Sequence, residues 1–455
     1  MSVTKVDVNA VLDGSRFRGL PLVVMAFAAC ITILDGFDIQ IMGLASPALA
    51  RDWGIERPAL VPAFAAALIG MAVGGFILGA VGDRYGRRPA ILASVLIFAI
   101  GTLATKWVPD VPTLIALRFL TGVGLGGALP NATALMSEFA PPRFRGQAIA
   151  ATIIGVPIGG MLGAVIAAQV VPIFGWRILF AIGGILPLVA LIGIYFALPE
   201  SARFLAAYPG RRAELARILN RVVGAERFSA TQDFSVGVSA PIHHVGPGVL
   251  LSRTLWRDTT ALWLAFITNL FAVYCFYNWA PVVFTGFGMD MPTALRALFV
   301  FNAAGVIGSL AASWLIARAG SRWIQAGLGV VAILSLLFVR SMLDGSGGRN
   351  SIAILSAIGV AGFCIVAIQV TLFSVAAHVY PTHCRAAGVG WAQGVGRFGG
   401  VLSAFAGAMF VGTSFFMGIA ATLALTVAAI LVLRNHLSPV FMRDDKQATD
   451  LGRVR

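Results

Sequence analysis

The chain has 455 residues, 58% of them apolar and 11% charged, and a formal net charge of +14. Soluble chains average about 45–50% apolar and about 25% charged, so a water-soluble globular protein and a disordered chain are both excluded. What remains is a polytopic membrane protein, in which the basic excess reports loop orientation rather than nucleic-acid binding.

A helix needs about 20 apolar residues to cross a hydrocarbon core about 30 Å thick. In chain order the apolar runs predict six spans at roughly 20–45, 57–81, 89–108, 112–136, 145–170 and 176–198. The first run is too long for a cleaved signal and is read as a span. A polar, arginine-rich stretch over about 199–258, containing His243 and His244, is the only long connection. Six more spans follow at roughly 259–284, 293–318, 322–340, 350–377, 385–410 and 412–434.

The expected fold is an all-α membrane protein with twelve transmembrane helices in two six-helix halves, 20–198 and 259–434. If the N-terminal segment 1–19 is cytoplasmic, the outside loops hold only Arg51, Arg57, Lys106, Arg177, Arg296, Arg340 and Arg349. Most other basic residues then fall inside, so 1–19, the central stretch and the tail 435–455 are all expected in the cytoplasm. A shift of 240 residues lays Pro141, Arg145, Gly159 and Gly160 on Pro381, Arg385, Gly399 and Gly400. Transporters are commonly built from such repeats, with substrate bound near the midplane between them.

The scattered cysteines Cys30, Cys275, Cys364 and Cys384 form no CxxC pair, so neither a disulfide framework nor a zinc site is expected. No cofactor is indicated. No metal-ligand cluster, nucleophile triad or phosphate loop points to an enzyme.

Asp35 and Asp38 are the acids that fall well inside a span. Three residues apart on a helix, they share one face about 60° apart. Two carboxylates there repel, and burial disfavours their ionised form, which suits the pair to load and release protons. The alternative is a structural pair neutralised by arginine. Arg118 in the fourth span and Asp38 in the first both fall roughly 10 Å below the outer surface, within plausible reach of each other. Arg118 either neutralises Asp38 or acts as a switch that pairs with it in one state.

Arg397 falls near mid-membrane in the eleventh span, between Gly394, Gly396 and Gly399, Gly400. Its fork suits a carboxylate, so it is expected to recognise an anionic substrate, or else to pair with Asp35 or Asp38. Phe271, Tyr274, Phe276, Tyr277 and Trp279, with Asn278, cluster on the seventh span. They suit stacking on a ring and hydrogen bonding to its hydroxyl, or plain packing. Trp391, Gln369 and Gln393 carry the same two readings. His378 and His383 fall at the cytoplasmic edge, where a surface role is expected.

The link Gly79-Ala-Val-Gly82-Asp83-Arg84-Tyr85-Gly86-Arg87-Arg88 resembles the signature loop of the major facilitator superfamily. The resemblance implies that Asp83 latches onto the start of the eleventh helix, with Glu138 and Arg145 completing the network. The second-half copy, Ala317-Arg318-Ala319-Gly320-Ser321-Arg322, lacks the acid. Asp35-Gly36-Phe37-Asp38 is similar to the signature of the aromatic acid:proton symporters. Leu117-Arg118-Phe119 through Gly127 resembles their fourth helix, and Tyr380-Pro381-Thr382 through Arg385, Gly388 and Gly396–Gly399 their eleventh. Pro199-Glu200-Ser201-Ala202-Arg203-Phe204 also fits, although sugar porters share it.

The resemblance implies a bacterial inner-membrane importer, functional as a monomer. Its partners would be a hydroxybenzoate-type carboxylate, protons and the lipid bilayer. A carrier of another organic anion or sugar, or an exporter on the same fold, is the alternative.

Overall fold

The computed structural model describes residues 5–235, 247–344, 350–381, 384–410, 412 and 414–437. His243, His244, Arg349, Thr382, His383 and the tail beyond residue 437 lie outside them. A lipid environment offers the backbone no hydrogen-bond partners, so long apolar runs close their bonds internally as helices. Twelve long helices result among the described residues. They are α1 (Leu20–Trp53), α2 (Val61–Tyr85), α3 (Arg87–Ala104), α4 (Val111–Phe139), α5 (Pro142–Phe174) and α6 (Arg177–Ala197). The second set is α7 (Trp256–Gly286), α8 (Met291–Ala319), α9 (Ser321–Asp344), α10 (Ser351–Val379), α11 (Arg385–Met409) and α12 (Ser414–Val432).

Eleven of these are long and apolar enough to cross a membrane. The exception is α11, whose hydropathy is diluted by Gln393, Arg397 and its glycines. At 34 residues, α1 is about 51 Å long and overshoots the hydrocarbon core. The predicted span ended near residue 45 and left Arg51 in an outside loop, whereas the helix continues through Arg51 and Asp52 to Trp53.

The chain divides into two compact units. One comprises Met1–Ile39, Ala66–Gly159 and Arg177–Ile242, and the other Gln40–Ala65, Gly160–Trp176 and His243–Arg455.

Within the first unit α1 crosses α5 at backbone contact. A Cβ on Gly159 would sit 1.9 Å from the Ile33 carbonyl oxygen, and one on Gly36 2.0 Å from that of Val156. The second unit repeats the crossing with α7 and α11, where a Cβ on Gly399 would sit 1.8 Å from the Ile267 carbonyl oxygen. The repeated glycines of the sequence thus mark the same helix crossing twice. We expect Gly159→Val to cost at least the ~1–3 kcal/mol of an overpacked core, because a backbone carbonyl cannot swing aside. A lowered melting temperature of the detergent-solubilised protein would register this, and an unchanged one would refute it.

The connections at α3 and α9 also repeat. Gly86, at φ 109°, opens α3, and Gly320, at φ 83°, precedes α9. The Glu200 carboxylate lies where a Gly86 side chain would be, accepting from the backbone N–H groups of Arg87 at 2.8 Å, Arg88 at 3.2 Å and Ser201 at 2.7 Å. Burial pushes the Glu200 carboxyl up from its ordinary value, and those N–H groups pull it back. In the second unit Ser321 and Leu437 bond twice, each through 3.0 Å contacts. In each repeat the chain leaving the sixth helix therefore ties down the start of the third.

The central stretch is not all loop. Leu215, Ile218, Leu219 and Val222 follow helical spacing, and Arg212–Val223 forms a helix that buries them. Val6–Asp7 pairs in parallel with Phe234–Ser235, a two-residue exception to the all-helical pattern. The short helix Val8–Asp13 follows, burying Val8 and Leu12.

Candidate functional site

In the first unit, α1 presents Asp35 and Asp38, both fully buried. Gly36 and Gly159 let α5 approach this stretch at backbone contact. Arg118 comes from α4 and is 2% exposed. Its Nη1 lies 3.5 Å from Asp38 Oδ2, an ion pair longer than the ~2.7–2.9 Å of a tight charge-assisted bond.

Each partner has a second anchor. The Thr102 hydroxyl donates to Asp38 Oδ1. Arg118 Nη2 donates to Thr105 Oγ1 at 3.1 Å and Thr121 Oγ1 at 3.2 Å, and the guanidinium carbon stands 5.1 Å from the Phe180 ring centroid. The arginine is thus held by neutral hydroxyls and a π-face as well as by the carboxylate. These contacts do not depend on the charge of the carboxylate. Sequence reasoning missed this cage. Threonines in an apolar span gave the only signal, and which way they face is a tertiary matter.

In the second unit, α7 and α11 carry the residues expected to meet substrate. Gly396 and Gly399 place α11 against Phe266, Ile267 and Leu270 of α7, which sets the level of the half-buried Arg397. Asn269, fully buried at that level, donates to Gln369 Oε1 at 2.9 Å and to the Ile365 carbonyl at 3.2 Å. Asn269 was also missed, its signal being a carboxamide in an apolar span.

Tyr277 stands edge-on to Tyr274 and Phe301, with ring centroids 6.0 and 6.2 Å away. Asn278 is buried, and its Nδ2 has no hydrogen-bond partner among the described residues. Trp391 pairs instead with Trp263, at 6.3 Å. Trp263 precedes Tyr277 by about four turns, roughly 21 Å, so Trp391 and Tyr277 belong to different levels of the bundle. Gln40 and Asn302, both fully buried, exchange two hydrogen bonds of 2.9 and 3.2 Å, a pair that sequence reasoning did not find.

The signature-loop residues are placed as follows. Gly82 lies against the Asn131 carboxamide, to which Arg87 Nη1 donates at 3.0 Å. Asp83 is exposed and pairs with Arg87 at 2.5 Å. The guanidinium of Arg84 stands 5.4 Å from the Tyr85 ring centroid, and that of Arg88 the same distance from Tyr195. Glu138 accepts from the Ser201 hydroxyl, and Arg145 pairs with Asp13 at 2.8 Å. The N-terminal segment, rather than a loop between spans, therefore supplies the acid that meets Arg145.

Two repeats of long apolar helices, crossing through glycines and burying a carboxylate–guanidinium pair, define a multi-pass membrane transporter. The family model of the Major Facilitator Superfamily matches residues 28–404, and the chain belongs to that superfamily, in its aromatic acid permease family. It is a transporter and not an enzyme.

The chain is 34% identical over 414 residues to the 4-hydroxybenzoate transporter PcaK of Pseudomonas aeruginosa, covering 90% of this chain and 91% of that one. It is 32% identical to a gallate transporter of Pseudomonas putida, covering 88% of each chain. Among solved structures, the partially occluded inward-open xylose transporter XylE from E. coli superposes with a TM-score of 0.72 at 16% identity. That superposition covers 92% of this chain and 98% of XylE, and it bears on the fold alone.

Proposed function

We propose that the protein imports a hydroxybenzoate-type aromatic carboxylate with protons across the bacterial inner membrane, both termini lying in the cytoplasm. The observation that carries the coupling is the buried Asp38–Arg118 pair, loose at 3.5 Å and propped by three threonines. A buried carboxylate beside an arginine that has other anchors can take up a proton without the site collapsing. Asp35 and Asp38 form the proton-coupling pair, and protonation of Asp38 weakens its hold on Arg118 while Thr105, Thr121 and Phe180 keep theirs.

The substrate class rests on the 4-hydroxybenzoate and gallate relatives and on Arg397, whose planar fork matches a ring carboxylate. The Asn269–Gln369 carboxamides at the Arg397 level suit a ring hydroxyl, and Tyr277, Asn278 and Trp391 line the path of the ring. The six-helix halves 20–198 and 259–434 are the two moving bodies. Asp83, with Gly82, Arg84, Gly86, Arg87, Arg88, Glu138 and Arg145, forms the conformational latch between transport states.

Proteoliposomes carrying an inward proton gradient test the proposal. Labelled 4-hydroxybenzoate should accumulate faster than in protein-free liposomes, and a protonophore should collapse the difference. Uptake indifferent to the gradient would remove proton coupling. Failure with every hydroxybenzoate and benzoate offered would remove the substrate class.

A further inference from the structure

A cleft of about 570 Å³ opens where the start of α7 meets the end of α12. Its upper rim carries Arg253 and Arg257 from the approach to and first turn of α7, and Arg434 just past α12. Its lower wall is apolar, with Leu264 and Val432 both about two-fifths exposed, and Trp256 at the rim is 55% exposed. A cluster of cations above an apolar wall is complementary to an amphiphile with an anionic head.

The one carboxylate in the cleft does not cancel these cations. Asp258 is buried, and its two oxygens are already engaged, Oδ1 by the Arg434 backbone N–H at 2.8 Å and Oδ2 by Asn435 Nδ2 at 3.0 Å. Those bonds fasten the end of α12 to the start of α7, so Asp258 builds the cleft and leaves its rim cationic. Among the described residues none of the ion pairs involves Arg253, Arg257 or Arg434. The cleft lies at the ends of two membrane-spanning helices, the level at which lipid headgroups sit and where basic pockets between helices hold them. Exposed Trp256 suits the same interfacial level.

We propose that this cleft is a binding site for an anionic phospholipid. The phosphate is held by the guanidinium groups of Arg253, Arg257 and Arg434, and an acyl chain lies along Leu264 and Val432. A bound lipid here bridges α7 and α12 across the Asp258 tie.

Native mass spectrometry of the full-length transporter tests this, with separate titrations of phosphatidylglycerol, phosphatidylcholine of the same chains, and glycerol 3-phosphate. Phosphatidylglycerol should bind in clear preference to both of the others. The variant R253Q/R257Q/R434Q should bind it on the order of a hundredfold more weakly, about fivefold for each arginine near the surface. The matching lysine variant, which keeps the charges, should stay within about fivefold of wild type.

Val432→Trp crowds the apolar wall and leaves every arginine in place. It should weaken phosphatidylglycerol binding about tenfold, roughly the loss of two buried CH₂ contacts, and it gives the answer should the glutamine variant fail to fold. Equal binding of phosphatidylcholine would overturn the proposal, as would glycerol 3-phosphate binding as tightly as the lipid. Undiminished binding by folded R253Q/R257Q/R434Q, or by Val432→Trp, would overturn it as well.

Discussion

Replacing Asp38 by Asn is expected to stop proton-driven accumulation while leaving substrate exchange in place. One proton carried with each monovalent anion allows about tenfold accumulation per pH unit, so an inward gradient of two units supports about a hundredfold. Wild type should approach that ratio at initial rates well above protein-free liposomes, whereas Asp38→Asn should fall to the liposome baseline. Counterflow exchange, which needs no net proton movement, should persist within a few-fold and lose its pH dependence.

The substitution also strands the Arg118 charge. Removing one member of a buried pair costs about 3–5 kcal/mol, and the threonines and Phe180 recover part of it. A lowered melting temperature should accompany the uncoupling. The double variant Asp38→Asn/Arg118→Gln separates the two effects, because it removes the stranded guanidinium together with the carboxylate. It should regain thermal stability and remain uncoupled. Restored accumulation in the double variant would reduce the pair to a structural ion pair, and wild-type accumulation in Asp38→Asn would end the coupling role.

Arg397→Ala should have a comparable effect on binding. Hydrogen bonds to charged groups contribute about 1.5–3 kcal/mol each. Losing both arms of a carboxylate clamp therefore weakens affinity by a factor on the order of 10² to 10⁴. Arg397→Lys keeps the charge without the planar fork and should fall in between, about tenfold weaker than wild type. Equilibrium binding of labelled 4-hydroxybenzoate to the purified protein reads this directly. Benzyl alcohol analogues, which lack the carboxylate, should not distinguish wild type from Arg397→Ala. A variant that keeps its affinity and loses only thermal stability would make Arg397 a neutralising group for the protein itself.

Arg397 and Asn269 differ instructively in how readable they were. A guanidinium in an apolar run is costly wherever it faces, so Arg397 stood out from the sequence at once. A carboxamide costs less, and Asn269 gains its meaning only from Gln369, a hundred residues away on α10. The same holds for Gln40 and Asn302, whose reciprocal bonds join α1 to α8. Trp391 and Tyr277 show the converse. Both were grouped by residue type as ring-stacking candidates, and packing put them about four turns apart along α7.

What the sequence determined by itself was whatever the bilayer enforces along the chain. Apolar length gave the helices, and the scarcity of intramembrane charge singled out Asp35, Asp38, Arg118 and Arg397. The recurring glycines gave the internal repeat, and the structure showed that they mark the crossing that α1/α5 and α7/α11 share. The tertiary structure decided what depends on facing. It brought Arg118 to Asp38 with Thr102, Thr105 and Thr121 around them, and it turned Arg145 toward Asp13. The physical reason is that insertion cost is summed over a segment, residue by residue, whereas rotation about a helix axis is fixed by interhelical packing alone.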